Sequence, residues 1–175
     1  MNYSKALNGV KWNDLGDVQL GRPNLGQEVP VIVYRLMQYT IRDIISEELG
    51  DKKTKEIYCR AGYRSGVLFA QNALDLTGDF DYFIANLQKT LVEQQIGILQ
   101  IEKADLDTMT LTVTVSEDLD CSGLPITGTT VCDYDEGFLS GILEVYTGKP
   151  FHVKEIDCWA TGDRTCRFQA KKKDG

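Results

Sequence analysis

Polar and apolar residues alternate without a fault from Thr108 to Val115, as Thr-Met-Thr-Leu-Thr-Val-Thr-Val. A period of two predicts a strand with one buried face, carrying Met109, Leu111, Val113 and Val115, and one solvated face. The preceding segment, 97–106, is apolar, runs into the turn-like Asp105-Leu106-Asp107 and predicts a partner strand. Further upstream the period lengthens. Phe80, Phe83, Leu87 and Leu91 recur at steps of three and four, the stripe of a helix that Asp79 can cap and Gly97 can close. Residues 52–76 also predict a helix, in which Gly62 and Gly66, four apart, let a second helix approach closely. Pro30 and Gly50 bracket another, apolar nearly all round, which predicts a mostly buried helix. Its Arg35 and Arg42 are expected to reach solvent or pair with acids such as Asp43 and Glu47. The alternative for Arg35 is an anionic ligand.

Downstream, 116–128 collects Asp118, Asp120, Cys121, Gly123, Pro125 and Gly128 and predicts a loop. Thr129 or Thr130 can cap a helix running through Tyr146, closed by Gly148 and stopped by Pro150. Phe138, Leu139, Ile142 and Leu143 form its core face, and Cys132 falls in its first turn, where the helix dipole favours a thiolate. Strands at 151–159 and 165–170 follow. Helices and strands segregated in this way predict an α+β fold, an antiparallel β-sheet packed with several α-helices. Residues 1–28, with Trp12, Leu15, Val18 and Leu20 as scattered anchors, are expected to form an irregular arm packed on the domain. Residues 29–175 form a single globular unit.

A chain of 175 residues with 42% apolar content has enough material for one real core. A net charge of −7 weighs against a nucleic-acid-binding face. Lys171, Lys172 and Lys173 are expected to be a solvated tail. No stretch approaches the roughly 18 apolar residues of a membrane span, and the N-terminus lacks the pattern of a signal peptide. Five cysteines, an odd number, point to a reducing, cytoplasmic setting without a disulfide framework. No phosphate-binding glycine motif and no Ser/His/Asp set is present, so no catalytic residue is expected.

The chemistry concentrates between Cys132 and Cys166. Cys132, Glu155, Cys158 and Cys166 offer three thiolates and one carboxylate, four donors for a closed tetrahedral zinc site. Cys158 and Cys166 flank a run with Gly162-Asp163 at its centre, which favours a reversal that sets the two thiols side by side. Without metal, the same residues are three buried thiols. Asp133, Asp135 and Glu136 beside Cys132 are acids that a helix N-terminus favours on its own. Cys121 is left free, Cys59 is expected to be a buried structural thiol, and His152 a surface group or one that orients a ligand. Haem has only His152 in its favour.

The motif C-D-Y-x-E-G-F-x-x-G from Cys132, followed by K-E-x-x-C-x-x-x-G-x-x-x-C-x-F from Lys154, resembles the 4-vinyl reductase domain family. Leu20-Gly21-Arg22-Pro23-Asn24-Leu25-Gly26, Val33-Tyr34-Arg35-Leu36 and Ala61-Gly62 look like its stand-alone archaeal and bacterial members. The same domain is the sensor module of phenol-responsive transcription activators and is distantly related to vesicle-tethering subunits. The resemblance implies one zinc per chain held by Cys132, Glu155, Cys158 and Cys166, structural rather than catalytic, with iron as the competing metal. Three thiolates and a carboxylate leave such a centre negative, so Arg164 or Lys154 is expected to support it. The resemblance also implies a homodimer that binds a hydrophobic, aromatic or tetrapyrrole-like small molecule and acts through a separate partner protein. From periodicity, Phe83, Met109, Leu111 and Phe138 are placed on the pocket wall. The alternatives are an enzyme or accessory in tetrapyrrole vinyl reduction and a structural assembly subunit.

Overall fold

In the computed structural model, which describes residues 9–173, the first elements are slight. A 3-10 turn at Trp12–Leu15 leads to one helical turn, α1 (Val18–Gly21), where the Asp17 carboxylate accepts the Leu20 N–H at 2.8 Å. The arm expected over 1–28 lies partly outside the described residues. From Val10 to Val29 every residue is exposed, including the expected anchors Trp12, Leu15, Val18 and Leu20.

Pro30 stands at the cap of α2 (Val31–Leu49). Gly50, at φ 77°, breaks the helix in a conformation that side chains resist, and α3 (Asp51–Ala73) starts at once. The Asp79 carboxylate caps α4 (Phe80–Glu93), accepting the Tyr82 N–H at 3.0 Å. That helix ends earlier than Gly97, through a left-handed Gln95 at φ 56°. Gly97 serves close packing instead: a Cβ there would lie 2.6 Å from the Val115 side chain.

β1 (Ile98–Asp105), β2 (Thr110–Ser116), α5 (Asp133–Thr147), β3 (Phe151–Asp157) and β4 (Cys166–Lys172) complete the chain. The sheet order is β1-β2-β4-β3, antiparallel throughout. After α5, the chain lays β3 at the far edge and returns through β4 to the middle. This is the α+β architecture that the pattern predicts. Leu111, Val113 and Val115 point into the core as the alternation requires, whereas Met109 sits in the turn before β2 at φ 53° and only partly packs.

α5 lies between two layers. Leu139, Ile142 and Leu143 pack with Leu87, Leu111, Val113 and Val153 from α4 and the sheet. The opposite side meets α3 backbone to backbone. A Cβ on Gly62 would lie 1.9 Å from the Tyr134 carbonyl oxygen, and one on Gly66 2.1 Å from that of Phe138. Gly137 and Gly141 reciprocate, at 1.9 Å from the Cys59 carbonyl oxygen and 2.4 Å from that of Tyr63. The close approach expected from the Gly62 and Gly66 spacing is therefore real, and its partner is a second glycine pair on α5.

α2 departs from expectation. None of its residues is buried, and Ile32, Leu36, Met37, Ile41 and Ile44 are 72%, 66%, 58%, 49% and 57% exposed. Within one chain only its polar side meets the fold, and nothing covers the apolar remainder.

Replacing Gly137 by Ala is expected to lower folding stability by about 3 kcal/mol, because backbone rather than a flexible side chain blocks the methyl. Gly21→Ala, with open space around it, is expected to leave stability nearly unchanged. Equilibrium denaturation of the two variants checks both.

Candidate metal centre

Four elements converge at one end of the sheet. Cys132 caps α5, one residue before the first turn where it was expected. Cys158 follows β3, Cys166 opens β4, and Cys121 comes from the loop at 117–132. All four residues are 0–1% exposed and none is in a disulfide. Their sulfurs all lie within 4.8 Å of one another. Cys132 Sγ is 3.8 Å from Cys158 Sγ and 3.7 Å from Cys166 Sγ, and Cys121 Sγ is 3.0 Å from Cys166 Sγ.

Glu155 is buried beside this cluster on β3. Its Oε2 accepts the Cys132 N–H at 3.1 Å, while Oε1 is sealed from solvent without a hydrogen-bond partner. Three of the four expected donors thus come together as thiols with the fourth alongside. The expected donor set leaves out Cys121. Its signal in the sequence is faint: Asp118, three residues earlier, accepts the N–H groups of Asp120 at 2.9 Å and Cys121 at 3.0 Å, folding the loop inward.

Further acids surround the sulfurs. Oxygens of Asp118 and Asp135 form, with Cys132 Sγ, a second group of donors within 4.8 Å of one another. Asp135 is half-buried as a residue, but its Oδ2 is sealed and unpartnered. Asp133 pairs with Arg42, and Glu136 pairs with Lys154 at 2.6 Å while accepting the Glu155 N–H at 3.0 Å. Lys154 thus supports the centre through Glu136. Arg164 stacks over Trp159 at 5.6 Å, and His152 points outward from β3 beside Lys171. Among the described residues no salt bridge reaches Asp118, Asp120, Asp135 or Glu155.

This crowding sets the proton affinities. Burial pushes Glu155 up to about 8. Burial and then the Asp120 charge push Asp118 up to about 7, and burial, with Asp120 and Asp118, holds Asp135 well above the carboxylate range. Hydrogen bonds from Cys121, Cys132 and Cys166 pull Cys158 far below an ordinary thiol. Cys158 is therefore the sulfur that carries the first negative charge.

α2 grips the cysteine loop with its polar side. Arg35 donates to the carbonyl oxygens of Leu119 at 2.7 Å and Asp118 at 3.2 Å, rather than to solvent or an anion. Tyr34 and Gln38 donate to the Asp120 carboxylate at 2.7 and 2.9 Å, and Tyr39 to its carbonyl at 3.1 Å. Arg42 donates to the Val131 carbonyl at 3.2 Å, so it serves the start of α5 rather than Asp43 or Glu47.

An apolar crevice runs between α4, α5 and the sheet. Ile84, Leu87, Leu99, Leu111, Leu139 and Ile142 are on its wall, and it encloses about 20 Å³. Of the four expected pocket residues, Leu111 lines it. Phe83 stacks on Tyr146 with centroids 3.9 Å apart, and Phe138 packs on Phe69 at 5.2 Å. Met109 sits at the start of β2, and Cys59 is a half-buried thiol on α3.

Residues 111–172 match the family model of the 4-vinyl reductase domain. The chain carries a 4-vinyl reductase domain. All five donors named above fall inside the match. Two uncharacterized proteins of Methanocaldococcus jannaschii are similar to it. One is 27% identical over 112 residues, 64% of each chain. The other is 36% identical over 56 residues, 32% of this chain and 35% of the relative. The chain thus spans less than two thirds of either relative's length.

Three solved structures share the fold of this 4-vinyl reductase domain. The phenol-responsive sensory domain of the transcription activator PoxR, crystallised with phenol, superposes with a TM-score of 0.62 at 15% identity. That match covers 84% of this chain and 76% of the other. A vinyl-4-reductase family protein from M. jannaschii gives 0.55 at 20% identity, with 85% of each chain covered. A trafficking protein particle complex subunit 3 from Naegleria fowleri, covalently bound to palmitic acid, gives 0.60 at 13% identity, covering 83% and 98%.

The donors fit a thiolate-bound metal. A tetrahedron of metal–sulfur bonds of about 2.3 Å has edges of about 3.8 Å, and two of the sulfur separations are 3.7 and 3.8 Å. Without metal, the raised carboxyls give a definite pH dependence. Asp118 and Glu155 rise from 3.8 and 4.5 to about 7 and about 8 on folding. Their neutral forms favour the fold, so stability is greatest below the unfolded values and is lost as pH climbs from about 4 to about 8. The melting temperature of chelator-treated protein should fall across that window, and a flat or rising profile would contradict the burial argument. Added zinc should reverse the trend, since protons compete for its donors.

Proposed function

We propose that this 4-vinyl reductase domain is a small-molecule sensor or carrier, braced by one zinc ion at Cys132, Cys158 and Cys166, that passes its signal to a separate partner protein. The observation behind it is the crevice at the centre of the core. Its wall is wholly apolar and is shared by α4, α5 and the sheet, so an occupant would have to part these elements. A hydrophobic or aromatic molecule suits such a wall, and a tetrapyrrole-like one demands a wider opening. The PoxR sensory domain, whose fold is similar, responds to phenol. Zinc there would tie the start of α5 to the β3–β4 turn, and four protein donors leave no place for water. Free thiols in such a centre suit a reducing compartment. No helix among the described residues is long and apolar enough to cross a membrane.

A native mass spectrum of untagged protein from its own host, set against its denatured mass, tests this reading. One zinc plus a small organic mass per chain is expected. A metal-free, ligand-free chain that is also unaffected by a panel of aromatic hydrocarbons in thermal melts would overturn it.

The second reading, an assembly subunit, draws on the uncovered side of α2. Ile41, Ile44 and Met37, on successive turns of α2, suit the seam of a homodimer. Met37→Lys combined with Ile41→Lys is expected to convert a dimer to a monomer in light scattering without lowering the helix content. Monomeric wild-type protein would remove the homodimer from both readings.

A further inference from the structure

We infer that Cys121 is a metal ligand, so that this chain's centre is a four-sulfur site and Glu155 positions Cys132 instead of binding the metal. The inference rests on the metal reading above and changes its donor set. Cys121 Sγ belongs to the one group of donor atoms that includes all three other sulfurs, whereas neither group of mutually close donors contains Glu155. Cys121 is 0% exposed and is set in place by more than chance packing. The Asp118 carboxylate holds its N–H at 3.0 Å, its carbonyl accepts the Leu124 N–H at 3.0 Å, and α2 clamps the residues on its N-terminal side.

Cys121 Sγ is 3.0 Å from Cys166 Sγ, inside the edge of about 3.8 Å of a zinc–thiolate tetrahedron, so it need only withdraw by about 0.8 Å. Glu155 is already engaged by the backbone, since its Oε2 holds the N–H of Cys132, the ligand-bearing cap of α5. Four thiolates also select among metals. Tetrahedral sulfur sites take zinc or iron and disfavour magnesium, calcium and manganese.

Cobalt(II) added to the metal-free full chain, followed by absorption spectroscopy, reads the donor set directly. The wild type is expected to show sulfur-to-cobalt charge transfer of four-thiolate strength. Cys121→Ser should lose about a quarter of that intensity, one thiolate in four, and Glu155→Gln should keep all of it. Cys121→Asp retains a donor if the serine variant fails to fold, and should show the same reduced band. Full intensity in either Cys121 variant, with an altered visible spectrum in Glu155→Gln, would overturn the inference while leaving the metal reading intact. A wild-type chain that takes up no cobalt would end both.

Discussion

Backbone contact between α3 and α5 is the constraint on which the rest of the structure depends. With Gly62, Gly66, Gly137 and Gly141 facing one another, the two helices meet without side chains between them. That contact fixes the depth of α5 beneath α3 and hence the distance of Leu139, Ile142 and Leu143 from the sheet. It also fixes where α5 begins, which places Cys132. The crevice and the sulfur cluster are therefore two ends of one rigidly seated helix.

Electrostatics sets the second condition. Four buried thiols share one end of the core with Asp118, Asp120, Asp135 and Glu155, and the nearby cations are engaged elsewhere, Arg42 with Asp133 and Lys154 with Glu136. Negative charge of that density is costly in a low-dielectric interior unless protons or a cation offset it. The metal-free domain holds it off with protons. A divalent ion would exchange protons for metal and knit together four segments distant in sequence.

Much of this was legible in the sequence, for local reasons. Strict alternation in β2, the Asp79 cap and the glycine stop at Gly50 act within a few residues, and each element forms near its expected limits. Cys132, Cys158 and Cys166 were legible because their spacing carries a motif. Cys121 was not, since its approach to Cys166 depends on a loop folded by Asp118 and on Cys166 lying opposite Val115 in the ladder. The fate of α2 was hidden for a related reason. Its composition calls for burial, but composition does not say whether the cover comes from the same chain. The pocket residues taken from periodicity illustrate the limit of that method: Phe83 and Phe138 are core, as a stripe predicts, yet their rings are spent on Tyr146 and Phe69.

The two sides of α2 join interior to exterior. One 19-residue helix grips the loop of Asp118, Asp120 and Cys121 on its polar side and leaves its apolar side open. A molecule that settles on the open side and tilts the helix must also shift the loop. Reciprocity then holds: if filling the sulfur cluster strengthens association at α2 by some factor, association strengthens metal retention by the same factor. The helix is a lever with its short arm in the core.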